Sequence, residues 1–175
     1  FPTRRSADLN LFNTWVHSAV SRVAPKLLRL QQSRPLTLGE KSLVYSIFYD
    51  QLDLDLPRIY ASGWVIMGYA ISPNGHVYFN PSDYMDDFSA APLGKQAWLI
   101  HEMTHVWQIQ QGMNVVRRAL LDRRYRYLLE QGKSFFAYGI EQQAQMVQDF
   151  FVRRSLGEDC QDLEHCLPFF NQANR

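Results

Sequence analysis

The chain is short of several things, and each shortage narrows what it can do. Two of its 175 residues are cysteine, too few for a disulfide framework. Cys160 and Cys166, six apart, lack the second pair that a structural zinc site of cysteines needs, which leaves a local disulfide or two reduced thiols. Charge imbalance is almost missing as well: 18 Lys and Arg against 17 Asp and Glu leave a formal net charge of +1. That excludes a polybasic nucleic-acid arm or an acidic tail as the main activity. No uninterrupted apolar stretch approaches the roughly 18 residues that span a bilayer. The N-terminus has no apolar run of the kind found in secretion signals, so the chain is expected not to export itself by that route. What remains is an ordinary globular composition, 46% hydrophobic and 20% charged, enough for one domain with a sizeable core.

The opening nine residues, Phe1 to Leu9, resemble the peptide obtained when a common sequencing-adaptor DNA is translated in frame. They are read as a non-native scar, which leaves a single domain over 10–175 and an unknown length of native chain upstream.

Hydrophobic spacing predicts a helix over 10–32, broken or kinked at Pro25. A second helix is predicted to start at Thr37, where Glu40 three residues on has capping-box spacing, and to end near Leu52. Short β-prone runs at 58–61, 64–71 and 76–79, punctuated by Ser62-Gly63 and by the turn signal at 72–75, predict a small antiparallel sheet or hairpin. After an acidic loop (Asp83, Asp86, Asp87), a helix is predicted over 93–111 with Gly112 as its C′ stop. The arginine-rich stretch 113–138 is broken at Gln131-Gly132-Lys133, and its arginines at 117–126 read as a solvated face. A helix over 139–154 and a short helical turn over 162–167 complete an α+β, mainly helical class.

Chemistry concentrates in His101-Glu102-Met103-Thr104-His105. On a helix, residues four apart share a face, so both imidazoles can meet one metal ion while Glu102 reaches a metal-bound water. From the chain's own His and Glu frequencies, one chance HExxH is expected on the order of 0.5% of the time. A hydrolytic zinc site also needs a third protein ligand and an open position. The extended metzincin pattern fails, because Gln108 and Gln111 stand where it requires Gly and His. Glu141, early on the downstream helix, is the best third ligand, with the small Ala144 one turn later allowing two helices to approach. Asp149, two turns further on, is the fallback. His76, after the 72–75 turn, reads as a turn-edge polar residue or a substrate-side contact. Tyr138 is a candidate oxyanion donor because it is close to Glu141 in sequence.

The run 97–108 (AWLIHEMTHVWQ), with Gly132-Lys133, Tyr138 and 140–144 (IEQQA), resembles the metallopeptidase domain fused to the C-terminus of VgrG-type spike proteins of bacterial type VI secretion systems. It is similar too to small stand-alone relatives encoded near such spikes. The likeness covers about 36–154. It implies a gluzincin-like fold with one zinc ion per chain, held by His101, His105 and Glu141, and Glu102 as catalytic base. It also implies a peptidase acting on a protein or peptide, carried as an antibacterial effector by a spike module fused upstream or associated non-covalently. Toxicity in the periplasm of a rival cell and an immunity protein go with that reading. Two alternatives are a non-catalytic spike-tip or adaptor domain braced by zinc, and a housekeeping metallopeptidase.

Overall fold

A computed structural model describes residues 32–170, all but Gln32 within the compact unit Ser33–Arg175. The opening nine residues and the helix predicted over 10–32 lie outside the described residues. The first strand, β1 (Gln32–Pro35), leads into α1 (Leu38–Phe48). Thr37 caps this helix as its sequence predicts: the Thr37 hydroxyl accepts from the Glu40 N–H, and Glu40 accepts from the Thr37 N–H. Such a pair contributes about 1 kcal/mol. Here Glu40 also does more than cap. Its fully buried carboxylate takes two 2.7 Å bonds from Arg34 and one of 2.8 Å from the Phe88 N–H, tying β1, α1 and the turn Phe88–Ala90 together. The helix continues only as a 3₁₀ turn, Tyr49–Gln51, close to the predicted end.

The sheet differs from the sequence prediction. It has four strands in the order β1-β2-β4-β3, with β2 (Arg58–Ala61), β3 (Ala70–Ile71) and β4 (Val77–Phe79). β3 pairs β4 antiparallel, a hairpin across the 72–75 turn where Gly75 has φ +83°. β2, however, pairs β4 in parallel, Ile59 opposite Val77 and Ala61 opposite Phe79. The sheet is therefore mixed, not antiparallel. The cause lies in 64–69, the greater part of the predicted 64–71 strand, which forms turns instead and leaves only Ala70–Ile71 extended. There the Val65 carbonyl is taken by Asn80 and the Gly68 N–H by Asp83, groups that a strand ladder would have used. The chain thus passes β4's place, and β4 inserts between β2 and β3.

The helix α2 (Leu93–Gln110) ends where Gly112 was expected to stop it. Gly112 has φ +78°, its N–H bonds the Ile109 carbonyl, and the Met113 N–H bonds the Gln108 carbonyl. This Schellman closure needs a left-handed residue, a conformation glycine adopts at little cost. A short α3 (Val115–Leu121) follows, then an irregular strap over 122–130, then α4 (Ile140–Ser155) and α5 (Gln161–Cys166). α2 and α4 pack on each other. Beneath them Phe48 and Trp107 meet Phe169 at ring distances of 4.9 and 5.0 Å. Each such buried aromatic contributes about 1.5 to 3 kcal/mol through removal of apolar surface from water. Among the described residues, no helix is long and apolar enough to cross a membrane.

Candidate metal centre

Two helices build the site. α2 places His101 and His105 one turn apart on the face turned to α4, and the first turn of α4 presents Glu141 to them. Ala144, three residues on from Glu141 and so on the same face of α4, is completely buried. His101 Nε2 lies 3.5 Å, and His105 Nε2 3.3 Å, from Glu141 Oε2. The three side chains offer ligand atoms all within 4.8 Å of one another and could hold a metal ion. All are 5 to 9% exposed. An anionic side chain in the first turn of α4 also sits favourably against the helix dipole.

The electrostatics show how strongly these groups act on each other. Burial alone would lower the His105 pKa, but the Glu141 carboxylate reverses this and, with Glu102 and Gln108, pushes it up to about 9. Glu141 answers in kind: burial would raise it, yet His105 and His101 hold it far below the usual carboxylate range. Glu102 goes the other way. Burial raises its pKa, against the pull of both imidazoles and of Ser72, whose hydroxyl donates 2.8 Å to Glu102 Oε2. A carboxylate made more basic by burial, beside a cluster suited to a cation, is the pattern expected of a general base.

Other candidates from the sequence fall elsewhere. The Tyr138 hydroxyl donates to the Leu128 carbonyl and accepts from the Glu130 N–H, each at 3.0 Å, so it fastens the strap. Asp149 does the same, accepting from Tyr127 on the strap and from Gln145, and it is not among the three grouped side chains. His76 sits against the Tyr60 ring at 5.6 Å. Cys160 and Cys166 are free thiols at either end of α5. A helical rise over that span is about 9 Å, beyond the reach of a disulfide. In the arginine stretch, Arg124 pairs with Asp122, and Arg117, Arg118 and Arg126 are exposed.

Two residues near the cluster carried no signal in the sequence. One is Ser72, thirty residues from Glu102. The other is Tyr125, whose ring lies 5.9 Å from that of His101. Tyr125 is 49% exposed as a residue, but the crowding of its hydroxyl and then the Glu141 and Glu102 carboxylates raise its pKa and keep the phenol protonated. The strap carries it there, held down on α4 by Tyr127 and by the bond from Gln142 to the Arg126 carbonyl.

This arrangement can be set beside known proteins. No family model matches the chain. The solved effector domain of Pseudomonas aeruginosa VgrG2b matches with a TM-score of 0.66 and 36% identity, over 83% of this chain and 89% of that one. The chain belongs to the VgrG2b effector-domain family. A curated relative within this VgrG2b family, the type VI secretion system spike protein VgrG2b of Pseudomonas aeruginosa, is 38% identical over 137 residues. That match takes in 71% of this chain and 13% of the relative, so the chain spans only a small part of the spike protein's length.

Proposed function

We propose that this chain is a zinc-dependent peptidase, delivered as an antibacterial type VI secretion effector. The observation that carries the reading is the spacing of the three buried donors. Zinc bound at about 2.0 to 2.1 Å in a tetrahedron sets neighbouring ligand atoms about 3.3 to 3.4 Å apart. The two imidazole nitrogens stand 3.5 and 3.3 Å from Glu141 Oε2. Two imidazoles and one carboxylate are also a donor set zinc favours, and three protein ligands leave a position for water or substrate. When bound there, zinc lowers the pKa of a coordinated water and polarises the carbonyl to be cleaved.

The chain's own groups supply the rest. Glu102 takes the proton from the attacking water and returns it to the leaving amine, a cycle that its burial-raised basicity suits. Ser72 holds one Glu102 oxygen and leaves the other for that work. The Tyr125 phenol, protonated and beside the cluster, donates to the oxygen on which charge develops. β3 is one of the sheet's two edge strands among the described residues and runs directly into Ser72, so an extended peptide adding to that edge would pass the base. Kinship with a spike protein supports carriage by a spike module, and action in the periplasm and neutralisation by an immunity protein are part of the same proposal.

The test is zinc content and peptide hydrolysis of the purified chain, together with growth of cells expressing it in the periplasm or the cytoplasm. The wild type should carry about one zinc and arrest growth from the periplasm. Glu102→Ala should retain zinc and do neither harm nor hydrolysis, and His101→Ala should lose both. A Glu102→Ala protein that still cleaves peptides would overturn the role of Glu102. Equal growth of all strains would overturn the toxin.

A further inference from the structure

The two imidazoles of the cluster are not held alike. His101 Nδ1 is buried and has no hydrogen-bond partner among the described residues. His105 Nδ1 lies 2.8 Å from Gln108 Oε1. Gln108 is one turn further along the same face of α2, so the pair meets by ordinary helical spacing. Beyond Gln108 the contacts cross to α4. Gln108 Nε2 donates to the Ile140 carbonyl at 3.1 Å and to Gln143 Oε1 at 3.0 Å. Gln143 Nε2 in turn donates to the Tyr138 carbonyl at 2.8 Å. Both glutamines are completely buried.

The direction of every bond in this chain is fixed by its ends. The carbonyls of Tyr138 and Ile140 can only accept. Gln143 must therefore turn its NH₂ to Tyr138 and its oxygen to Gln108. Gln108 must spend its NH₂ on Ile140 and Gln143, which turns its oxygen to His105. An oxygen at that position requires a proton on His105 Nδ1. The nitrogen left to meet a metal is then Nε2, the one that faces Glu141. Two backbone carbonyls at the entrance of α4 thus set the tautomer of a histidine on α2, and the same bonds fix the separation of the helices that carry His105 and Glu141.

We infer that Gln108 and Gln143 are positioning residues for the metal centre: they lock His105 in its metal-binding tautomer and hold α2 and α4 at the spacing the three ligands require. This rests on the metal-binding reading proposed above. Outer partners of metal-bound histidines commonly contribute about 10- to 100-fold in metal affinity. Part of that comes from orientation and part from the basicity that an accepting oxygen confers on the ring.

The variants separate this role from simple packing. Gln108→Met with Gln143→Met removes both amide side chains together and keeps roughly the same shape. It leaves the Tyr138 and Ile140 carbonyls and His105 Nδ1 without these partners, a change that folding tolerates better than leaving one glutamine facing an apolar side chain. Zinc affinity is measured by competition with a chromophoric chelator, and folding by thermal unfolding of the chelated proteins. The double variant should still unfold cooperatively, at a temperature lowered by the unpaired carbonyls, and bind zinc about 10- to 100-fold more weakly when folded. Binding within twofold of wild type would overturn the inference while leaving the metal centre standing. A wild type that binds no zinc would overturn both. A measurement free of any variant covers the case of misfolding: long-range ¹H–¹⁵N spectra of the zinc-loaded wild type should show His105 protonated at Nδ1. Protonation at Nε2 instead would overturn the relay.

Discussion

At the scale of the residue, the cluster is governed by burial and mutual charge. His105 shows the sign of the effect. Its folded pKa of about 9 lies above the value near 6.5 of an exposed imidazole. Its contribution to stability is therefore complete below pH 6.5 and is lost as pH rises through about 9. Thermal unfolding of the chelated protein should fall across that window by an amount worth a few kcal/mol. A flat profile would show that the pair with Glu141 does not form. Tyr125 allows a sharper test. If its phenol donates to the developing oxyanion, Tyr125→Phe should lower kcat about 10²- to 10³-fold, with zinc content unchanged. A Tyr138→Phe variant should instead lose stability, because that hydroxyl bonds the strap backbone twice. The sequence pointed to Tyr138 because it lies three residues from Glu141, and distance along a chain is a poor guide where the chain folds back. The strap brings Tyr125 to the cluster from sixteen residues away, a difference of 141 and 125 that no local pattern encodes.

At the scale of the element, the capped helices and the β3–β4 hairpin were legible, whereas α3 and the parallel pairing of β2 with β4 were not. Helix ends carry local chemical signals. Thr37 with Glu40 opens α1, and Gly112 closes α2, because caps satisfy backbone groups within a few residues of the signal. Glu40 shows how such a signal can also have distant use. Its carboxylate holds Arg34 and the Phe88 N–H as well as the cap. Removing it leaves the part-buried Arg34 guanidinium without its carboxylate and the buried Phe88 N–H without its acceptor, so Glu40→Ala should destabilise the protein by about 3 kcal/mol, well beyond a lost cap. Urea titration would measure this, and a loss near 1 kcal/mol would reduce Glu40 to a capping residue. Pairing beyond a hairpin has no such local signal. The parallel pairing of β2 with β4 follows from Asn80 and Asp83 capturing the backbone of 62–69, a choice made by side chains that come later in the chain.

At the scale of the whole molecule, the site depends on two helices meeting. Ala144 is completely buried on the face of α4 that carries Glu141, and Ala144→Leu would force extra methylenes into a filled space. That should cost about 1 to 3 kcal/mol and reduce zinc binding, although no ligand has changed. Zinc affinity equal to wild type would show that the helix spacing has slack. Two determinations divide cleanly between sequence and fold. His101, Glu102 and His105 share a turn, and Glu141 opens a helix; helical period alone dictates these placements, so the sequence by itself determined which side chains could converge on a metal. That they do converge, and that Ser72 reaches Glu102 across thirty residues and Gln143 reaches Gln108 across thirty-five, only the tertiary structure decided. Those contacts arise from packing between elements distant in the chain, where position is set by the fit of the whole core rather than by any repeat in the residues themselves.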